Sequence, residues 1–306
     1  MKKRDFLTLL DLTPPELAGL IHRAAQMKKA GPGLAECPLI GKSIGMLFEK
    51  ASTRTRVSFE TGIYQLGGQS IFLSPKDIQL SRGEPLGDTA RVLSRYLSAL
   101  VIRTFSHDTV ETLSREAQIP VINALTDLAH PCQALADLLT VKENTDRLEG
   151  ATMAYLGDGN NVANSLIIGC SMTGMHLKLA CPEGYDPDER FLREGDRLAR
   201  ASGGTVQVVR DPSLACSGAQ FLYTDVWTSM GQEEETERRK RDLGPYQLNA
   251  RRLGEAEPEA RILHCLPAHR GEEITEEMIQ HPQSVIFDQA ENRLHTQKAL
   301  MEWLIK

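Results

Sequence analysis

The stretch Phe48-Glu49-Lys50-Ala51-Ser52-Thr53-Arg54-Thr55-Arg56 joins two segments of different hydrophobic period. Ahead of it, residues 43–48 form an apolar run of strand length. Behind it, Phe59, Ile63 and Leu66 fall on one stripe of a helix predicted over 55–66. Strand, polar junction, helix is the unit from which parallel sheets are built. Working outward, the unit repeats. Further strands are predicted at 70–73, 100–103 and 121–124, with helices at 88–98 and 108–117 between them. Upstream, Thr13-Pro14-Pro15 followed by Leu17, Leu20, Ile21 and Ala24 reads as a capped amphipathic helix.

A helix starting near His130, rich in Ala and Leu, leads into the charged, turn-prone stretch 142–150, where a domain boundary is placed. A second alternating series follows, with strands predicted near 153–156, 177–181, 205–209, 221–225, 262–265 and 285–287 and a last helix over about 290–305. The expectation is therefore an α/β protein of two similar domains, 1–141 and 150–287, each a parallel β-sheet flanked by helices. The charged segment 233–241 reads as too polar for core and as a loop near a site.

Composition excludes several classes. With 306 residues, 41% hydrophobic and 25% charged, the chain has the balance of a globular protein with a real core. A net charge of −6 points away from nucleic acid and anionic membranes, so a bound anion must be held by a local cluster of Arg and His. The six cysteines are scattered and form no C-x-x-C pair, which fits a reducing compartment better than a disulfide framework or zinc ribbon. The apolar stretch after Met1-Lys2-Lys3-Arg4 ends at Asp11, too short for a signal-peptide core, and no later run suffices for a membrane span. A cytoplasmic protein is expected.

The chemistry-bearing residues gather at the predicted strand-to-helix junctions, which a parallel sheet places along one edge. In 48–56, three hydroxyls and two guanidinium groups stand at a helix start, whose unpaired N–H groups and dipole favour an anion. The segment suits a phosphate; the plainer reading is an N-cap with two surface arginines. His130-Pro131-Cys132-Gln133 occupies the next such junction, where His130, an amide and Arg103 could polarise a carbonyl and fix an attached NH2, or His130 could simply cap a helix. Gly157-Asp158-Gly159-Asn160-Asn161 lacks the third glycine of a dinucleotide loop. Its asparagines would receive a carboxylate or cap the helix. Asp225, ahead of Trp227 and Gly231, offers a partner for an ammonium, or is a solvated turn residue. Cys265 in His264-Cys265-Leu266-Pro267 is either a small core residue or part of the site. Metal binding by His264 with Cys265 is not expected, because adjacent strand residues face opposite ways.

Taken together, S-T-R-T-R (52–56), H-P-C-Q (130–133), D-x-x-x-S-M-G (225–231), H-C-L-P (264–267), the stretch 88–96 and Glu291-Asn292-Arg293 closely resemble the ornithine carbamoyltransferases, in that family's order and over nearly the whole chain. The first two motifs are shared with aspartate carbamoyltransferases and identify the donor; the next two identify the acceptor. The resemblance implies a carbamoyl-phosphate domain and an ornithine domain, with the C-terminal helix (290–306) packing back on the N-terminal domain. It also implies a homotrimer or a multiple of trimers, with 79–84 as the loop a neighbouring subunit contributes. Ser81 stands where Gly is expected, and 268–271 lies in a stretch that varies.

Carried over residue by residue, the resemblance puts carbamoyl phosphate on Ser52, Thr53, Arg54, Thr55, Gln79, Arg103, His130, Gln133, Cys265, Leu266 and Arg293. It puts ornithine on Asn161, Asp225, Ser229 and Met230. Arg103, His130, Asp225 and Cys265 are the expected catalytic residues. Thr55, Arg103 and His130 would stabilise the carbonyl oxygen, while Gln133 and the carbonyls near Cys265 and Leu266 would accept from the carbamoyl NH2. No metal or organic cofactor is expected. Aspartate as acceptor conflicts with Asp225. A putrescine enzyme of this superfamily would carry a longer C-terminal helix than a sequence stopping at Lys306 provides. A catalytically silent scaffold is disfavoured by the intact motifs.

Overall fold

The computed structural model describes residues 3–31, 37–74, 83–228 and 233–305. The chain divides into two units, Met1–Ala136 with Asn292–Lys306, and Asp137–Glu291.

In the first unit, α1 (Pro14–Ala30) precedes β1 (Ser43–Phe48), α2 (Thr53–Gln65), β2 (Gln69–Leu73), α3 (Leu86–Leu93), β3 (Ala99–Arg103), α4 (His107–Glu116), β4 (Val121–Leu125) and the start of α5 (Pro131–Glu143). Thr13 caps α1 in a capping box with Glu16, as its Thr-Pro-Pro start predicts. The four strands are parallel in the order β2-β1-β3-β4. Central β1 and β3 are buried almost throughout, whereas edge strand β2 is half exposed. That is the pattern of a sheet covered on both faces. Phe59, Ile63 and Leu66 are all fully buried, as the stripe requires.

The second unit runs β5 (Thr152–Leu156), α6 (Asn161–Met172), β6 (His176–Ala180), α7 (Glu189–Ser202), β7 (Thr205–Val209), α8 (Pro212–Cys216), β8 (Phe221–Thr224), α9 (Thr236–Leu243), α10 (Ala250–Glu255), β9 (Arg261–His264) and α11 (Glu276–Gln280), ending in the first turns of α12 (Ile286–Leu304). Its sheet is parallel, in the order β7-β6-β5-β8-β9. Beneath it, Leu156, Leu222, Ile262, Ile274 and Ile286 belong to one buried cluster.

From Asn292 onward α12 belongs to the first unit. There Glu302 accepts from Arg23 Nε and Nη2, each at 2.7 Å, Lys298 Nζ donates to Gln65 Oε1 at 2.8 Å, and Lys42 Nζ reaches the Ile305 carbonyl at 3.1 Å. A Cβ on Gly62 of α2 would come within 3.2 Å of Lys298 and 3.3 Å of Met301, so a bare backbone permits this close packing. The expected return of the C-terminal helix to the N-terminal domain is thus found.

Two sequence expectations are corrected. Residues 285–287 are not a strand. Ser284 makes a single parallel bridge to Ile262 and Val285 N donates to the Ile262 carbonyl, but Gln289 N already closes a helical turn on Val285. Burial follows suit, with Ile286 fully buried and Phe287 exposed at the start of α12. The charged segment 233–241 is not all surface either. It forms a 3-10 turn (Glu233–Glu235) and most of α9, whose residue Arg239 is only 5% exposed.

Candidate active site

Each sheet has one point where the chain order reverses, between β1 and β3 in the first unit and between β5 and β8 in the second. Ligands of open parallel sheets bind beyond the carboxyl ends of the strands at such a point. The residues singled out in the sequence lie there in both units.

In the first unit, β1 ends at Phe48 and feeds 49–52 into α2, while neighbouring β3 ends at Arg103; Glu49 N donates to the Arg103 carbonyl at 2.8 Å. Ser52 is the N-cap, its Oγ accepting from Thr55 N at 3.2 Å. The buried Thr55 hydroxyl accepts from two guanidinium groups, Arg293 Nη2 at 3.2 Å and Arg103 Nη1 at 3.5 Å. Arg293 also donates to Gln133 Oε1 at 2.7 Å, which ties the amide to the same cluster.

The two arginines of 52–56 part company. Residues two apart on a helix point in different directions. Arg54 lies close enough to His130 to act on its charge, whereas Arg56 stacks on Phe72 at 3.8 Å and pairs with Glu60 at 3.0 Å. Arg56 thus lines an open cleft of about 250 Å³ with Phe48, Lys50, Ser52, Thr53 and Phe72, instead of joining the His130 group. Lys50 is buried against the Phe105 ring and paired with Asp127.

His130 precedes α5, and its carbonyl accepts from Gln133 N, so its backbone occupies a cap position. Its imidazole is held well below the usual histidine range by burial first, then by the positive charges of Arg293, Arg103 and Arg54. It is therefore neutral at neutral pH. Cys132 is core: its thiol reaches the Asn123 carbonyl at 3.4 Å, and burial pushes it up to about 12.

In the second unit, β5 leads through Gly157 and Asp158 to Asn160, and neighbouring β8 leads to Asp225. Asp225 is 6% exposed, and its partners among the described residues are all uncharged: Asn160 Nδ2 on Oδ2 at 2.8 Å, and Val226 N and the Cys265 thiol on Oδ1, each at 2.8 Å. Asn160 is at the same time the N-cap of α6, its Oδ1 accepting from Val162 N and Ala163 N. The glycines of this loop serve the protein's own packing. A Cβ on Gly159 would fall 2.2 Å from Pro187 N, and Gly157 sits at φ +130° beside the buried Trp227.

Past β9, Leu266 adopts φ 55° ahead of a cis Leu266–Pro267 peptide. Leu266 N donates to His264 Nδ1 at 2.8 Å, which leaves Nε2–H to donate to buried Glu273 at 3.0 Å. The liganding atoms of Asp225, His264 and Cys265 lie within 4.8 Å of one another, contrary to the expectation that the last two diverge, because Cys265 falls just beyond the strand's end. Both ring nitrogens of His264 are nevertheless engaged.

The family model for the carbamoyl-P binding domain of aspartate/ornithine carbamoyltransferase matches residues 4–143, and that for the Asp/Orn binding domain matches 149–304. The chain belongs to the aspartate/ornithine carbamoyltransferase family. It is 53% identical over 304 residues to an ornithine carbamoyltransferase of Listeria monocytogenes, covering 99% of this chain and 96% of that one. Among solved structures it resembles the ornithine carbamoyltransferase of Pyrococcus furiosus (TM-score 0.95, 46% identity, 99% and 97% of the two chains). It likewise resembles that of Gloeobacter violaceus (TM-score 0.90, 49% identity, 99% of each chain).

For a member of the carbamoyltransferase family, the two clusters offer matching chemistry. One is cationic, with neutral donors and a helix start. The other presents a carboxylate supported by uncharged donors. Of the expected site residues, Ser52, Arg54, Thr55, Arg103, His130, Gln133 and Arg293 lie in the first cluster, with Thr53 in the adjoining cleft, and Asp225 and Cys265 touch in the second. Asn161 opens α6, but its neighbour Asn160 is the residue bonded to Asp225. Gln79, Ser229, Met230 and Gly231 lie outside the described residues. Asn160 was read in the sequence only together with Asn161, as a pair that would cap the helix or receive a carboxylate. Arg239 was not singled out, although its i,i+4 pair with Leu243, both buried on α9, marked it.

His130 carries a pH prediction. A histidine unfolds to an ordinary value of about 6.5, so below that pH the unfolded chain holds a proton that the native chain does not. Stability from this residue is complete above about pH 6.5 and is lost as pH falls. Thermal unfolding between pH 7.5 and 5 should show a smaller drop in Tm for His130→Asn than for the wild type. Equal drops would contradict a buried neutral His130.

Proposed function

We propose that this chain transfers the carbamoyl group of carbamoyl phosphate to the side-chain amine of L-ornithine, giving L-citrulline and phosphate. The observation that carries the acceptor is Asp225, buried and in contact with neutral donors only among the described residues. A buried carboxylate without a cation favours a cationic ligand as its counter-ion. Ornithine carries two ammonium groups and one carboxylate, whereas aspartate carries one ammonium and two carboxylates.

In this reading residues 1–141 with 290–306 bind the donor and 150–287 the acceptor. The start of α2, with Ser52, Thr53, Arg54 and Thr55, receives the phosphate, and Arg293 adds positive charge. As the amine attacks, charge develops on the carbonyl oxygen, which Thr55, Arg103 and neutral His130 stabilise as an oxyanion hole does. Gln133 and the Cys265 and Leu266 carbonyls take the carbamoyl NH2, and Gln79 belongs to the donor set. Asp225, Asn161, Ser229 and Met230 hold the amino-acid head group, with Asp225 and Cys265 close to the reacting amine. Its solution pKa should resemble that of lysine, ~10.4, so much of the catalysis consists of holding it deprotonated against a polarised carbonyl. The test is formation of citrulline from carbamoyl phosphate and ornithine by the purified chain; none formed would refute the reading.

A homotrimer, or a multiple of trimers, is proposed with it. Among the described residues, eight of the ten exposed large hydrophobic ones belong to the first unit, including Ile40, Val57, Tyr64 and Tyr96, and such exposure marks contact surfaces. Of the expected subunit loop, Glu84 accepts from Thr89 within its own unit, and 79–82 lie outside the described residues. Light scattering should report three chains or a multiple; a fully active monomer would defeat the assembly. The six free thiols suit a reducing compartment, for which the cytoplasm is proposed. Among the described residues no helix is long and apolar enough to cross a membrane.

A further inference from the structure

A second carboxylate stands beside Asp225. Asp158 opens the loop that carries Asn160, and its main-chain carbonyl accepts from Tyr155 OH at 2.8 Å and from Asn160 N at 2.7 Å. The loop is thereby tied to the residue that holds Asp225. Asp158 Oδ2 accepts from Arg239 Nη2 at 2.6 Å, with both side chains largely buried. The Arg239 guanidinium lies over the Tyr185 ring at 5.1 Å, and Tyr185 OH donates to Asp242 at 3.0 Å. Its Nε is 3.8 Å from Glu235. An arginine buried in the most charged helix of the chain is costly to place, and nothing in the donor chemistry requires it.

We infer that Arg239 is a positioning residue for the acceptor: by neutralising Asp158 it leaves Asp225 as the carboxylate that selects and orients the substrate ammonium. The inference rests on ornithine being held through Asp225. Two like charges in a partly buried site cannot both stay ionised without a cation. With Arg239 gone, an ionised Asp158 would compete with Asp225 for ornithine's ammonium groups, and the head group loses its single seat.

The charge environment agrees. Burial pushes Asp158 up to about 6, Arg239 opposes that shift, and Asp225 and Glu235 add to it. Tyr155 and Cys181 also feel the Asp158 charge. Removing Arg239 therefore moves the Asp158 titration upward, toward the pH at which the enzyme would be assayed.

The experiment is a charge-balance series in the full-length enzyme, with ornithine varied at saturating carbamoyl phosphate between pH 5.5 and 9. Arg239→Gln should raise the ornithine KM at least tenfold and leave the carbamoyl phosphate KM within twofold. In its kcat/KM profile the Asp158 step, near pH 6 in the wild type, should move upward. Arg239→Lys, which keeps the charge, should stay within threefold of wild type. The double variant Asp158→Asn/Arg239→Gln should recover most of the loss and abolish that step. A purely structural tether predicts that the double variant is as impaired as Arg239→Gln, and that result would overturn the inference, as would a wild-type ornithine KM in Arg239→Gln. Should Arg239→Gln not fold, Asp158→Asn decides. It turns the unpaired guanidinium toward Asp225 and should raise the ornithine KM tenfold without a new step; an unchanged KM there is equally fatal. Failure of the underlying assignment is separate, since wild-type enzyme would then make no citrulline.

Discussion

Arg54→Ala should lower kcat at least a hundredfold at saturating carbamoyl phosphate and ornithine, with a smaller effect on the ornithine KM. Arg54 follows the N-cap Ser52 in the first turn of α2, where unpaired N–H groups and the helix dipole already favour an anion. With Arg293 and Arg103 it belongs to the set of charges that keeps His130 neutral. A phosphate that leaves gains charge in the transition state, so a guanidinium placed for it acts more strongly there than in the ground state. Losing one such donor costs ~3 kcal/mol, which is a hundredfold or more in rate. Arg56→Ala supplies the contrast. Its guanidinium stacks on Phe72 and pairs with exposed Glu60, a contact worth little on a surface helix, so its kcat should stay within threefold of wild type. A folded Arg54→Ala enzyme within threefold of wild-type kcat would remove Arg54 from the site.

The difference between these two arginines marks where sequence reading ends. The motif 52–56 announces a helix start and an anion site, but only helix phase decides which guanidinium faces His130. The alternating strands and helices were legible because each buried strand is a short apolar run bounded by turn residues, and all nine described strands sit at a switch of hydrophobic period within or beside the predicted spans. Residues 285–287 misled for the same reason. Val-Ile-Phe is as apolar as a strand, yet Asp288 and Gln289 continue it as a helix, and a three-residue run holds too little period to separate the two. Charge misled at 233–241, because a buried arginine is invisible to composition until its partner is known, and Asp158 lies far away in sequence. At 160–161 two asparagines compete for one role. The capping geometry that aims Asn160 at Asp225 is three-dimensional, and nothing in the order of the letters distinguishes the pair.

Free L-ornithine should be carbamoylated at least ~10⁴-fold more efficiently than N-acetylornithine or putrescine, the discrimination typical of a site built for hydrogen bonding. Asp225 holds its place through Asn160, Val226 and Cys265, which among the described residues are all neutral donors. Acetylation removes the α-ammonium that would meet it, and putrescine, which keeps an amine at each end, lacks the α-carboxylate. Either change strands buried polar groups without partners, and a buried unsatisfied group forfeits its full desolvation cost. Aspartate offers no side-chain amine and brings two carboxylates toward Asp225, so no product is expected from it. The measurement is kcat/KM for the four acceptors near pH 8 with carbamoyl phosphate saturating. If N-acetylornithine or putrescine came within tenfold of ornithine, the acceptor assignment would be wrong, although the donor assignment could stand. Asp225→Asn then separates the two halves of the reaction. Removing the charge while keeping the shape should lower ornithine kcat/KM by two orders of magnitude or more, since the lost contact is a charge-assisted one. Carbamoyl phosphate binding, measured by calorimetry in the absence of ornithine, should change less than twofold, because its proposed phosphate contacts are made by residues of the first unit.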